Sequence, residues 1–132
     1  MHVVLGVGCD RNTLLETLEH VVNAALQELK LDYTAVKALA TIDKKNDEVA
    51  LLALAEKYHW PLKFFTATEL AKVDVPNPSE VVMKYMGTPA VAEAAAILAA
   101  NTDSNNLIIE KNKYRGDDGK NATVSVVRIS NE

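Results

Sequence analysis

One cysteine, Cys9, stands among 132 residues. No internal disulfide can form, and a reducing compartment fits. No apolar run approaches the roughly 20 residues needed to cross a bilayer. The first residues carry neither the basic segment nor the cleavage site of a secretory signal. A cytoplasmic location and no membrane partner are therefore expected. Positive charge is not in excess either. The formal net charge is −4, which weighs against nucleic acid as a partner. Gly6-Val7-Gly8 is followed by Arg11 where a dinucleotide fingerprint requires its third glycine, and no glycine-lysine-serine/threonine end completes a phosphate loop. The histidines His2, His20 and His59 have no ligand spacing and form no readable triad with Cys9. No metal and no cofactor are expected.

Apolar residues make up 48% of the chain, enough for a hydrophobic core in one domain spanning 1–132. The β-branched run Val3–Val7 reads as a buried strand. Thr13 and Glu16 have the spacing of a capping box and open a helix predicted to run to about Lys30, with Leu14, Leu18, Val21, Ala25 and Leu29 at helical spacing. Val36–Thr41 reads as a second strand, Asp47–Tyr58 as a second helix broken by Trp60-Pro61, and Leu62–Phe65 as a third strand. Thr66 and Glu69 form another capping box, for a short helix around Glu69–Lys72. Thr88-Pro89 starts an alanine-rich helix through Ala100. Leu107–Ile109 and Thr123–Ile129 read as two final strands. Between them, polar Glu110–Ala122 contains Gly116-Asp117-Asp118-Gly119 and reads as an extended hairpin with a solvated tip. Strands alternating with helices predict an α/β fold, a three-layer α/β/α sandwich with a mixed sheet of about five strands. Helix starts then gather near the carboxyl ends of strands, where open α/β sheets hold ligands.

Several residues at these junctions are candidates for chemistry. Cys9 lies at a strand-to-helix turn beside Arg11, either as a small half-buried residue or as a ligand contact. Cations follow several strands: Arg11 the first, Lys44 and Lys45 the second, and Lys111, Lys113 and Arg115 the fourth. Gathered at one edge, they make an anion site in an acidic protein, suited to phosphate or to several carboxylates. Asp43 and Glu48 either orient these cations or are simple helix-start acids. Asn77, Ser79 and Glu80 sit in a proline-stiffened loop that reads as a structural turn or a recognition loop. Asp117-Asp118 reads as a solvated turn rather than a cation site. Glu93, alone among alanines, faces solvent or reaches an adjacent loop.

Taken together, "GVGC" at 6–9, "ATIDKKNDE" at 40–48, "WPLKFF" at 60–65, "TATEL" at 66–70, "VPNPSEVV" at 75–82, "GTPAVAEAAAILAA" at 87–100 and the tail "LIIEKNKYRGDDGKNATVSVVR" resemble one family. It is the carboxy-terminal domain of the cobalamin-biosynthesis protein CbiG, also found as the stand-alone CobE. The resemblance covers nearly the whole chain. It implies a module that binds or processes a precorrin or cobalt-precorrin. That module would act within a cobalt-precorrin-5A hydrolase, which opens a lactone and releases acetaldehyde, or as a non-catalytic accessory to another corrin-ring enzyme. The implied partners are the small molecule, an amino-terminal CbiG region and other pathway enzymes. No catalytic residue is assigned. The family's turn is commonly Cys-Arg-Arg/Lys-Gly. Here an acid, Asp10, follows Cys9, and Asn12 stands at the glycine position, a residue that tolerates left-handed geometry.

Overall fold

A computed structural model describes residues 1–43, 48–73 and 91–129, with Glu110 described by its backbone alone. The strands are β1 (Val3–Cys9), β2 (Val36–Ile42), β3 (Leu62–Phe65), β4 (Leu107–Arg115) and β5 (Asn121–Arg128). Among the described residues they form one sheet in the order β3-β2-β1-β5-β4. The pairs β1/β2 and β2/β3 are parallel, while β1/β5 and β4/β5 are antiparallel. The parallel pairs follow from the helix that each connection carries: α1 (Leu15–Glu28) between β1 and β2, and α2 (Val49–Tyr58) between β2 and β3. After β3 come the short α3 (Ala67–Ala71) and then α4 (Val91–Ala99).

Two apolar clusters cover the two faces, so the three-layer mixed α/β architecture expected from the alternation is the one observed. On one face Val3, Leu5 and Val7 pack with Leu18 and Val22 of α1 and with Leu51 and Leu54 of α2. On the other, Val4, Ala38 and Ala40 meet Leu70 of α3 and Ala94, Ala95 and Ala96 of α4. Burial on both sides explains why β1 reads as a continuous apolar run rather than an alternation. Each fully buried leucine contributes about 1.5–3 kcal/mol relative to exposure. The buried Thr41 hydroxyl donates to the Val7 carbonyl at 2.7 Å, so its burial leaves no donor unsatisfied.

Alanine on α4 and glycine on β1 together set the spacing of the second layer. A Cβ placed on Gly6 would lie 1.8 Å from the Ala92 carbonyl oxygen and 3.0 Å from the Ala96 methyl. The helix backbone therefore rests directly on the strand, a distance that only glycine permits.

Helix ends are closed in one recurring way. Lys30, His59 and Asn101 each adopt a left-handed φ, of 58, 57 and 54°. In each case the next residue donates its N–H five positions back: Leu31 to Leu26, Trp60 to Ala55 and Thr102 to Ile97. This is the Schellman arrangement, usually built with glycine.

Two expected features differ from the sequence reading and one forms as expected. Thr13 does not cap α1: Leu14 is the cap residue, without a side-chain cap bond. The Thr13 hydroxyl instead donates to the Asp10 carbonyl at 2.6 Å, because the turn before the helix competes for it. At Thr66 the capping box is complete, with Thr66 Oγ1 accepting the Glu69 N–H at 3.1 Å and Glu69 Oε1 accepting the Thr66 N–H at 2.9 Å. The fourth strand does not stop at Ile109 but continues to Arg115, with register shifts between Leu107 and Ile109 and between Ile109 and Asn112. Lys111, Lys113 and Arg115 therefore lie within it rather than after it.

At the amino ends of β2 and β3, Tyr33, Tyr58 and Trp60 form an aromatic group. Tyr33 and Tyr58 stack at 4.5 Å, and Tyr58 and Trp60 at 4.8 Å. The Tyr58 hydroxyl donates to Glu19 at 2.7 Å, and Lys57 Nζ lies 2.9 Å from the same carboxylate oxygen.

Candidate functional site

The carboxyl ends of the parallel strands β1, β2 and β3 open at one edge of the sheet. Strand β4 ends there too, because it is antiparallel to β5 and β5 is antiparallel to β1. Cys9 faces Ala122, and Ala122 faces Tyr114. The β4–β5 hairpin is held in this direction by contacts with α1. Tyr114 stacks on His20 with ring centroids 3.8 Å apart. Gly116 packs against Thr17, where a Cβ would lie 2.5 Å from the Thr17 hydroxyl oxygen.

The turn after β1 is fixed from two sides. On one side Asp10 donates its N–H to the Asn121 carbonyl at 3.0 Å. Its Oδ2 accepts the backbone N–H of Asn121 at 2.8 Å and the side-chain amide at 3.1 Å. Asp10 thus bolts the turn to the start of β5. On the other side stands Glu48, whose side chain is almost fully buried. Its Oε1 accepts the Asn12 N–H at 2.9 Å, and its Oε2 accepts from Arg11 Nη1 at 3.1 Å. Asn12 has φ 61°, the left-handed geometry expected of the residue at the glycine position. Glu48 precedes α2 but makes no side-chain cap bond to that helix. Orientation of a cation, rather than helix capping, is what this acid does.

Of the sequence candidates, Cys9, Arg11 and Asp43 come together at this edge. Cys9 closes β1, half-buried against the core on the α1 side. Arg11 stays largely exposed. Asp43 follows the last residue of β2 and is half-buried. Lys113 pairs with Thr123, which pairs with Gly8. Lys113 and Arg115 are exposed. Among the described residues no heavy atom lies within 4 Å of a Cβ built on Gly8. Lys111 is different: its side chain is 24% exposed and its Nζ lies 3.6 Å from Oε1 of Glu93, which is fully buried. Glu93 is thus an interior carboxylate facing a lysine, not a solvent-facing residue. Lys44, Asn77, Ser79 and Glu80 fall outside the described residues.

The role of Glu48 was only half legible. A helix-start acid has no periodic signal that distinguishes capping from a bond 36 positions back in the chain. The His20–Tyr114 stack has no signature in the sequence, since a lone helix histidine carries no signal of the strand it will meet.

These features define a three-layer α/β module with a rigid first turn and exposed cations at the edge where its parallel strands end. The chain belongs to the family described as cobalamin synthesis G C-terminus, which matches residues 3–127, and it is a module of cobalamin biosynthesis. It is 36% identical over 127 residues to a cobalt-precorrin-5A hydrolase of Priestia megaterium, covering 96% of this chain and 32% of that protein. It is 33% identical over 111 residues to CobE of Sinorhizobium sp, covering 83% of this chain and 71% of that one. The chain thus spans about a third of the Priestia hydrolase. The crystal structure of CobE, a protein from the cobalamin biosynthetic pathway, superposes with a TM-score of 0.77 at 29% identity, covering 96% of this chain and 91% of that one. Among the described residues no helix is long and apolar enough to cross a membrane.

Proposed function

We propose that the chain, as one domain over residues 1–132 working in the cytoplasm, binds a cobalt-precorrin through the carboxylates on the rim of the macrocycle. The observation that carries this reading is Arg11, held by Glu48 at the edge where Lys113 and Arg115 also stand. A guanidinium fixed on one side by a buried acid loses less freedom on meeting a second carboxylate than a mobile one. Cations placed along one edge of the sheet raise the local concentration of a polyanion even on a protein of negative net charge. Relatives named for cobalt-precorrin-5A hydrolysis and for cobalamin biosynthesis supply the chemical class. Cys9 and Asp43 flank the same site as contact residues.

Titration of the chain with cobalt-precorrin-5A and with metal-free precorrin-5A is the test. Saturable binding that weakens as salt is raised is expected, because exposed charge attraction is screened. Absence of binding to both forms would overturn the reading.

A second reading, that the domain serves the hydrolase reaction itself, draws on its similarity to hydrolases about three times its length. Turnover of cobalt-precorrin-5A by the isolated chain, or restoration of turnover on mixing with the remaining region of such a hydrolase, separates this from a binding role alone.

A further inference from the structure

Large apolar side chains left exposed among the described residues are Met1, Leu14, Tyr33, Val49 and Leu52. Tyr33 belongs to the aromatic group and Met1 to the end of the sequence. The other three share one place. Leu14 precedes α1 and is 48% exposed; Val49 and Leu52 open α2 and are 77% and 41% exposed. Leu14 stands two positions after Asn12, and Val49 is the next residue after Glu48. The bond between Asn12 and Glu48 therefore draws the two helix starts together. Val49 and Leu52, three residues apart, project from neighbouring positions on one side of α2. The inward side is formed by Ala50, Leu51, Leu54 and Ala55. Leu14, Val49 and Leu52 keep between 41% and 77% of their surface in water.

We propose that Leu14, Val49 and Leu52 are an apolar plate against which the flat face of the macrocycle lies while its rim carboxylates meet Arg11. The inference rests on the reading above and deepens it by assigning the non-polar part of the ligand. Charge and size argue for this occupant. The patch borders an exposed cation, so the ligand it complements is apolar across a face and anionic at its margin. A macrocycle bearing acetate and propionate groups has that character. Three side chains fall far short of the roughly 20–30 residues a side that a stable protein interface uses. A plate of that size suits a ligand that buries one face of a ring.

The experiment is a titration of uroporphyrin III, a carboxylated macrocycle, by fluorescence quenching. It compares the full chain with Leu52→Gln and with the double variant Val49→Ser/Leu52→Ser, alongside thermal midpoints and sedimentation. The double variant should bind about tenfold more weakly while staying folded with a slightly lowered midpoint, and Leu52→Gln should fall between. Wild-type affinity in both variants would overturn the plate while leaving the anion site standing. So would a wild-type dimer that the variants abolish, since the occupant would then be a second copy of the chain. A wild-type chain that binds neither uroporphyrin III nor cobalt-precorrin-5A would overturn the reading on which the plate rests.

Discussion

The carboxylate of Glu48 accepts the backbone N–H of Asn12 at 2.9 Å across 36 positions of sequence, and the same carboxylate holds Arg11. One buried acid thereby ties the turn after β1 to the start of α2. Glu48→Ala should destabilise the fold by about 1–3 kcal/mol, because the Asn12 N–H loses its acceptor in a part-buried setting. Glu48→Gln keeps an oxygen for that N–H and should cost less. Urea denaturation of both variants checks the order, and equal losses would argue against a specific bond to Asn12.

Gly6→Ala places a methyl group inside the Ala92 carbonyl, 1.8 Å from its oxygen. Backbone cannot step aside as a side-chain tip can. A loss of at least ~3 kcal/mol, or failure to fold, is expected. Gly8→Ala, two residues on, meets no described atom within 4 Å and should leave the thermal midpoint nearly unchanged. A soluble Gly6→Ala protein with the wild-type midpoint would refute the close contact.

His59→Gly should stabilise the protein. His59 ends α2 in left-handed geometry, with φ 57°, where a side chain costs roughly 1 kcal/mol that glycine avoids. Part of the gain returns as added freedom of the unfolded chain, so a net increase of about 0.5 kcal/mol is expected in denaturant unfolding. A clear loss would show that the imidazole makes a contact of its own.

Hydrogen bonds from Lys57 and Tyr58 hold the Glu19 carboxyl below its ordinary value of 4.5. A depressed folded-state value gives stability that is present above the unfolded value and lost as pH falls through the folded one. Burial, followed by the bond to Glu19, pushes the Tyr58 phenol far up from its ordinary 10.0. That contribution is present below about pH 10 and lost as pH rises beyond it. Wild type should therefore lose part of its stability below about pH 4.5, and Glu19→Gln should flatten that limb. Unfolding midpoints between pH 3 and pH 6 test this, with a parallel decline in both proteins as the contrary result.

Lys111 and Lys113 should separate. Lys111→Ala removes the ammonium beside the fully buried Glu93 and should destabilise by about 1–3 kcal/mol. Lys113→Ala removes an exposed charge, leaves the midpoint unchanged and weakens cobalt-precorrin-5A binding by about 1 kcal/mol. Titration and melting of each variant give the comparison. Identical behaviour of the two lysines would remove the distinction between an interior pair and a surface contact.

Local signals made much of this fold legible. Leu62–Phe65 has the bounds its sequence predicts because Pro61 and Thr66 flank it, and the Thr66 capping box forms as its spacing requires. Thr13 misled for the opposite reason: the same spacing precedes α1, but a carbonyl three residues back, on Asp10, took its hydroxyl. The continuation of β4 past Ile109 is hidden by its charges, since Lys111 reads as a solvated residue although in the fold it faces the buried Glu93. At the site, the convergence of Arg11 with the second helix start followed from parallel pairing. The bond that enforces it joins residues with no sequence periodicity in common, and only the folded chain reveals it.

Strand β4 ends the sheet among the described residues, and its outer edge offers backbone groups to any passing strand. Register shifts near Ile109 and the cations Lys111, Lys113 and Arg115 are the devices by which natural sheets discourage such additions. If Lys113 and Arg115 meet a polycarboxylate as proposed, the same two side chains also discourage one molecule from templating the next. A variant with Lys113 and Arg115 both replaced by valine would lose ligand affinity and gain edge-to-edge pairing together, even though its net negative charge is larger.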